Sequence, residues 1–441
     1  MPTINTKWTA FLLLMSIVLP FYFAEAQERS LVSLEEARTR ARSNNTDLKL
    51  FEKKYAVAKA NYEQTRAVLL PQIRLTNTST FTNNPLMAFG FKLLQRDVSA
   101  PDFDPGVLND PGDVENFNTR IEVQQPIINV DGWQERKAAN LQLEISNLQQ
   151  ERYLEYLDLE VTKTYMQLQL AYKSVAVLEK ARETAAENDN TARNNLEQGL
   201  IQSADYLNVQ VRLGEVENQL LAARGQAENV SEYLSVLIGN GANSYLTPES
   251  DLLPFDQESS SGVQLNNERK DIKANAIAAE AQKRMYSSSK LNFVPRANAM
   301  ASYGWNDSEL FGFGADNYVV GIQLSWDLFG GYKNIGKIHK EKALLEQAEL
   351  EQQKYLDQSE MELNKAIRLR SESQSRMALA GLAVEQSREA LRVTTNRFEQ
   401  GLEKTMDLLH AESQFLEKEL TYYESVFNLN YAQAYLEFLS K

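Results

Sequence analysis

Few side chains in this sequence have the types and spacing that chemistry requires. Histidine occurs twice, at His339 and His410, and cysteine does not occur, so thiolate nucleophiles, disulfides and Cys-linked lipids are excluded. There is no His-Glu-x-x-His zinc pair and no nucleophile elbow. Phe311-Gly312-Phe313-Gly314 lacks the Lys-Ser/Thr that a phosphate loop needs. Carboxylates are plentiful but fall mostly on the polar faces of helix-favouring segments, where they solvate a surface. Two acidic features stand apart. Asp102-Phe103-Asp104-Pro105, in a stretch rich in Pro, Asp and Asn, has oxygens that a hard cation could use. Asp407 lies three residues before His410, which is either a solvated helical histidine or a group that titrates near neutrality. Neither amounts to an enzyme signature, a cofactor motif or a metal site.

Asp407 belongs to a stretch that the chain writes twice. Arg193–Leu207 reads RNNLEQGLIQSADYL and Thr395–Leu409 reads TNRFEQGLEKTMDLL. Glu197, Gln198, Gly199 and Leu200 coincide with Glu399, Gln400, Gly401 and Leu402, and Asp205 coincides with Asp407. The flanking parts repeat in the same order: helix, strand, loop, strand, very long helix, Gly turn, helix. The sequence therefore divides into a duplicated pair of segments. The first covers residues 27–240 and the second residues 266–441, with a Pro- and Ser-containing linker at 241–265.

In the first segment Ser33-Leu34-Glu35-Glu36 predicts a capping box that opens a helix running to about Val68. Heptads follow in the long helix, with Leu154, Val161, Leu168 and Val175 on one seam and Leu157, Ala171, Leu178 and Ala185 on a second. The second segment repeats this with Leu356, Leu363, Met377, Val384, Leu391 and Phe398, interrupted by Arg370. Trp133–Gln198 and Tyr332–Gln400 each predict about 100 Å of helix at 1.5 Å per residue. The shorter helices of each segment sum to a similar length, so each could stack end to end beside the long one. Gly199 and Gly401 would then be hairpin turns at the far end.

Composition narrows the class further. The hydrophobic share is 43%, and Gly and Pro are scarce at 19 and 11 residues, as in long helices. A net charge of −14 argues against nucleic acid as a partner. Lys7, the apolar run Trp8–Phe23 and Ala24-Glu25-Ala26 predict a cleaved signal peptide at residues 1–26. No later segment is long enough for a transmembrane helix, so entry into a membrane would require a closed β-barrel.

Four segments have the period of two that strands require. Ile73, Leu75 and Phe81 alternate with Arg74, Thr76, Thr78 and Thr80, and Phe117, Thr119, Ile121 and Val123 with Asn118, Arg120, Glu122 and Gln124. Ala297, Ala299, Ala301, Tyr303 and Trp305 share a face, as do Tyr318, Val320, Ile322, Leu324 and Trp326. Each is about ten residues, the length a tilted strand needs to cross a bilayer. Phe81, Phe117, Tyr303, Trp305, Tyr318 and Trp326 would be its interfacial girdle. Four strands cannot close a barrel, so copies of the chain must share one. The other reading is a soluble periplasmic coiled-coil scaffold or adaptor with a β-layer packed on its helices.

Asn44-Asn45-Thr46-Asp47-Leu48, Leu70-Pro71-Gln72-Ile73, Gln125-Pro126-Ile127-Ile128 and Phe398-Glu399-Gln400-Gly401-Leu402 with Asp407-Leu408-Leu409 resemble the TolC-like outer-membrane efflux proteins. The resemblance implies a mainly α fold with a small β part. Long antiparallel hairpins would form an α-barrel, and four transmembrane strands per chain would complete a twelve-stranded β-barrel in a homotrimer. It implies a passive duct from an inner-membrane pump of RND or ABC type, through a periplasmic adaptor, across the outer membrane's lipid bilayer. The cargo would be small molecules, with type I protein secretion or metal-ion efflux as alternatives. The hairpin words Glu197–Leu200 and Glu399–Leu402 would contact the adaptor. Asp407 matches an acidic constriction ring, with Glu403, Lys404 and Asp205 nearby. His410 stands where a second Asp is common, which puts a double ring in doubt.

Overall fold

The computed structural model describes residues 30–241, 245–255 and 263–441. The signal-peptide segment and part of the inter-segment linker lie outside the described residues. In chain order the elements are β1 (Ser30–Val32), α1 (Leu34–Asn44), α2 (Thr46–Gln64), a 3-10 turn (Thr65–Val68), β2 (Gln72–Thr82), α3 (Pro85–Leu94), a second 3-10 turn (Ala100–Phe103), α4 (Pro105–Asn109) and β3 (Val114–Ile128). Then come α5 (Val130–Glu197), α6 (Ser203–Leu237), β4 (Leu246–Pro248), α7 (Lys270–Leu291), β5 (Arg296–Asp307), β6 (Ala315–Ser325), α8 (Lys333–Glu399) and α9 (Thr405–Ser440). The long helices α5 and α8 have 68 and 67 residues, and α6 and α9 have 35 and 36, so the two hairpins match in length. Among the described residues no helix is long and apolar enough to cross a membrane.

The chain forms two compact units, each drawn from three stretches of sequence. The first comprises residues up to Asn45, Leu157–Glu258 and Leu369–Tyr435. Its core lies on the expected seams: Leu157, Val161, Leu168, Ala171, Leu178 and Ala185 of α5 are all buried. Leu220 of α6 and Leu416 of α9 pack with Val177 and Leu178. The predicted first helix differs here. Ser33 caps it as expected, its Oγ accepting from the Glu36 N–H at 3.2 Å. Glu36 itself pairs with Arg40 one turn on. The helix then breaks at Asn45, which is buried and donates from Nδ2 to the Leu237 carbonyl at 3.0 Å. α1 therefore does not continue into α2. It lies beside α5, held by Arg38 on Thr162 and by Arg42 on Asp158. Gly239 shows how closely the end of α6 approaches this break, since a Cβ there would sit 2.5 Å from Asn44 Cβ.

The described part of the linker is an ordered element rather than a tether. β4 pairs in parallel with β1, and Leu246 and Leu252 are buried. Tyr165 donates its hydroxyl to the Val32 carbonyl at 3.1 Å, and Gln169 donates to the Ser250 carbonyl at 2.9 Å. Short, isolated strands of three residues leave almost no periodic signal, which is why β1 and β4 are invisible in the sequence.

The second unit comprises Thr46–Tyr156, Ser259–Arg368 and Leu436–Lys441 and holds the four-stranded antiparallel sheet, in the order β2-β3-β5-β6. All four strands join helical segments at one end, while the other end carries the two connections. The register aligns the alternating patterns into rows. Ile73, Val123, Ala301 and Val320 lie side by side, as do Leu75, Ile121, Tyr303 and Tyr318. On the opposite face Arg74, Glu122, Ser302 and Val319 align, as do Thr76, Arg120, Gly304 and Asn317. β2 and β6 are the edges, so each leaves one ladder of backbone groups unpaired among the described residues.

Pro126 lies within β3, which runs on to Ile128 through a register shift at Pro126/Ile128. A missing N–H is tolerated at such an irregularity. The loop expected between the first two strands, residues 83–116, is not an open one. It folds as α3 and α4, each opened by a proline whose lost N–H costs a first helical turn nothing. Asp102 is spent on a capping box with Ser99 and on Lys92, and Asp104 caps α4 through Gly106. Those carboxylates are committed to caps and an ion pair, and Lys92 with Ser99 holds Asp102 well below the usual carboxylate range.

Candidate functional site

The repeated words become two copies of one backbone device in the first unit. Gly199 and Gly401 have φ of +73° and +72°, the left-handed region where a Cβ is strained. Around the first, the Gly199 N–H donates to the Leu196 carbonyl at 2.9 Å and the Leu200 N–H to the Asn195 carbonyl at 2.8 Å. Around the second, Gly401 donates to Phe398 at 2.8 Å and Leu402 to Arg397 at 2.9 Å. This is a Schellman closure of α5 and of α8. Such closures usually bury the residue after the glycine against the last turn. Here that turn offers Asn195 and Arg397, and Leu200 and Leu402 stay 69% and 60% exposed. Glu197, Gln198, Glu399 and Gln400 complete the two tips.

The helices that return from the tips start differently. In α6 the Asp205 carboxylate accepts from the Gln202 N–H at 3.3 Å, so this half-buried aspartate is a cap. In α9 the corresponding Asp407 is exposed and its carboxylate has no hydrogen bond or ion pair among the described residues. Its backbone N–H closes the turn on the Lys404 carbonyl at 3.0 Å. Glu403 is tied to its own hairpin by the Arg397 guanidinium at 2.7 Å, while the Lys404 side chain is exposed. His410 is exposed one turn after Asp407, with Nε2 3.0 Å from Gln414 Nε2. Leu408 and Leu409 are buried, and Leu409 packs with Ala192 and Val209. That packing fixes the rotation of α9 and leaves Asp407 and His410 on its open side, about 60° apart at 100° per residue.

Beneath this face the structure adds residues that the motif reading missed. Glu412 accepts from Asn188 Nδ2 at 2.8 Å. Burial raises its pKa, and the Asn188 hydrogen bond and the nearby Arg212 only partly offset that. It borders a cavity of about 290 Å³ lined by Val216, Leu391, Phe415 and Leu416. Its signal was present, since a carboxylate three residues after Leu409 and four before Leu416 sits on the apolar stripe. Asp189 is similarly buried and is held by Arg193 at 2.7 Å.

The girdle aromatics lie in the second unit. Phe81, Tyr303, Tyr318 and Trp326 are exposed and Trp305 is half-buried. Phe117 departs from the expectation: it is buried, with the Phe81 ring edge-on at 5.9 Å. Exposed aromatics that the pattern did not flag, Trp133, Phe293, Phe329 and Tyr332, stand at the helix-side ends of the strands with Trp326. They escape a period-of-two search because they lie just outside the strands.

The profile of the outer membrane efflux protein family matches residues 37–240 and 262–439. No curated protein matches by sequence. Among solved structures, the Campylobacter jejuni CmeC outer membrane channel aligns with a TM-score of 0.79 at 16% identity, over 92% of this chain and 85% of that one. The Vibrio cholerae outer membrane protein VceC aligns at 0.76 and 20%, over 92% and 96%. The open state of the Neisseria gonorrhoeae MtrE outer membrane channel aligns at 0.75 and 16%, over 92% and 88%. These likenesses establish the fold, and the profile, which spans most of the sequence in two blocks around the linker, establishes the kinship: the chain belongs to the outer membrane efflux protein family and is an outer-membrane efflux duct.

Proposed function

We propose that three copies of this chain form one duct that passes small molecules out of the cell. The observation that carries this is the sheet. Its four strands have 11, 15, 12 and 11 residues, long enough to span a bilayer, and neither edge has a partner among the described residues. Along its apolar face Ile73, Leu75, Tyr318, Val320, Ile322 and Leu324 are 67–75% exposed in the single chain. An exposed apolar face between two open edges is stable in lipid only when the edges pair, and β2 of one copy can pair with β6 of the next. Three copies give twelve strands, as the family resemblance implies.

The same threefold axis would gather three Asp407 carboxylates at the hairpin end. Like charges at close range repel one another and attract cations, so this ring would form a cation-selective constriction that closes the duct at rest. His410 would stand one turn away on the same open side of α9. The exposed Leu200 and Leu402 tips would seat a periplasmic adaptor, which links the duct to an inner-membrane pump of RND or ABC type. No Met- or His-rich stretch lines the hairpins, which favours organic cargo over metal ions.

The deciding experiment is the mass of the protein extracted by detergent from salt-washed outer membranes. A species three chains in mass supports the shared barrel. A monomer released by salt alone would refute it and favour a soluble scaffold.

A further inference from the structure

The junction between sheet and helices in the second unit holds a groove that transport does not explain. Gly132 creates it by close approach: a Cβ there would lie 2.9 Å from Val68 Cγ1 and 2.8 Å from Asn129 Oδ1. The first turns of α5 can therefore seat against the 3-10 turn that leads into β2. Beside this contact is a groove of about 580 Å³ lined by Tyr62, Leu69, Trp133, Arg136, Lys137 and Arg284.

Its charge is unusual for a chain with a net charge of −14. The Arg136 guanidinium donates to Thr65 Oγ1 at 2.9 Å, to the Tyr62 hydroxyl at 2.9 Å and to the Tyr62 carbonyl at 3.4 Å. It also lies 4.3 Å from the centroid of the Tyr62 ring. All these partners are neutral, so its charge is held in place without being neutralised. Lys137 is exposed and has no carboxylate partner among the described residues. Arg284 is paired with Glu280 at 2.7 Å. Three cations thus face one carboxylate beside an apolar wall.

Position supplies the second argument. Leu69 lies just before β2, and Trp133 lies in the first turn of α5 after β3. Leu69, Leu70 and Trp133 are exposed and lie just beyond the ends of the strands that carry the sheet's apolar surface. If that surface meets hydrocarbon, the groove lies at headgroup depth, where tryptophan and basic side chains anchor proteins to lipid.

We propose that this groove binds the headgroup phosphate of an anionic phospholipid at Arg136, Lys137 and Arg284, with the acyl chains lying against Leu69, Trp133 and the sheet. The inference rests on the membrane placement of the sheet proposed above. The excess of cations selects an anionic over a zwitterionic headgroup, and the apolar wall selects a lipid over free phosphate.

The test is native mass spectrometry of the delipidated full chain in non-ionic detergent. It is titrated with dioleoylphosphatidylglycerol, with dioleoylphosphatidylcholine, and with inorganic phosphate as competitor. The parent should bind the glycerol lipid more tightly than the choline lipid. Lys137→Gln with Arg284→Gln should weaken it about 25-fold, at roughly fivefold per surface cation, and leave the choline lipid unchanged. Lys137→Arg should bind as the parent does. Unchanged affinity in the double variant, or full displacement by millimolar phosphate, would overturn the lipid site. So would failure of a Trp133→Cys variant to react with maleimide in the delipidated assembly, since a second copy would then fill the groove. Flotation with vesicles separates the two readings. A parent that does not float overturns the membrane placement itself, whereas floating protein with unaltered lipid affinity overturns only this site.

Discussion

Replacing Arg269 tests whether the start of α7 is held by one buried polar cluster in the second unit. Arg269 is 1% exposed and donates from Nε and Nη2 to the Asp271 carboxylate at 2.7 and 2.8 Å. It also donates to the Leu439 carbonyl at 3.2 Å and to Ser359 Oγ at 3.0 Å. Burial alone would raise the Asp271 pKa, but Arg269, Tyr355 and the nearby Arg152 outweigh it and the net shift is downward. Tyr355, half-buried and donating to the same carboxylate, is pushed up to about 12. Arg269→Ala would strand the half-buried Asp271 carboxylate; for a fully buried one with no partner left the cost is about 3–5 kcal/mol. Tyr355 at 2.7 Å and Arg152 at 3.5 Å do remain, so we expect the lower end, about 3 kcal/mol. In hydrogen exchange the first turns of α7 should then exchange on the order of 100-fold faster. Arg269→Met combined with Asp271→Leu should recover most of that protection, because an apolar pair of similar volume leaves no uncompensated charge. The sign with pH follows from the lowered Asp271 pKa. The stabilisation is complete above its unfolded-state value near 4 and is lost as pH falls through the lower folded value. A single variant that exchanges less than about fivefold faster, or a double variant as labile as the single, would refute the reasoning.

Three further outcomes follow. Asp407→Ala should raise single-channel conductance and weaken block by a trivalent cation by about tenfold or more, and no change in either would remove Asp407 from the constriction. Gly401→Val should destabilise its turn by about 1–2 kcal/mol through backbone strain alone, since open space surrounds the position, with Gly401→Asn costing less. Faster exchange at Phe398–Leu402 would report it. Glu412→Gln should stabilise the start of α9 at neutral pH. The pKa of Glu412 is raised by burial, so its charged form is the unfavourable one and the penalty sets in as pH rises through the folded value. The gain should vanish in acid, and an equal gain at every pH would contradict it.

The alternating patterns placed all four strands to within a few residues, and the doubled Glu-Gln-Gly-Leu words located both hairpin turns. These signals are local: period, lone glycine and heptad each reflect which face of one element is buried. The Asn45 break was not legible because its cause is the carbonyl of Leu237, far along the chain. The folding of the 83–116 connection was misread because Asp and Pro mark helix caps as readily as open loops. Glu412 was passed over because a carboxylate on an apolar stripe acquires meaning only once Asn188 and Arg212 are known to face it.

By itself, then, the sequence determined the repeated words, the order of the long helices and the four strands of the sheet, the sheet's two-sided character and the absence of thiol chemistry. All of these depend on residue type and spacing along one chain. The tertiary structure alone decided which carboxylates are spent and which are free. Asp205 caps a helix and Glu403 is tied to Arg397, while the carboxylate of Asp407, which matches Asp205 in the second word, has no partner among the described residues. It also decided that Lys137, Arg136 and Arg284 share one groove. A charge acts through its distance to other charges, and that distance is fixed by packing rather than by position in the chain.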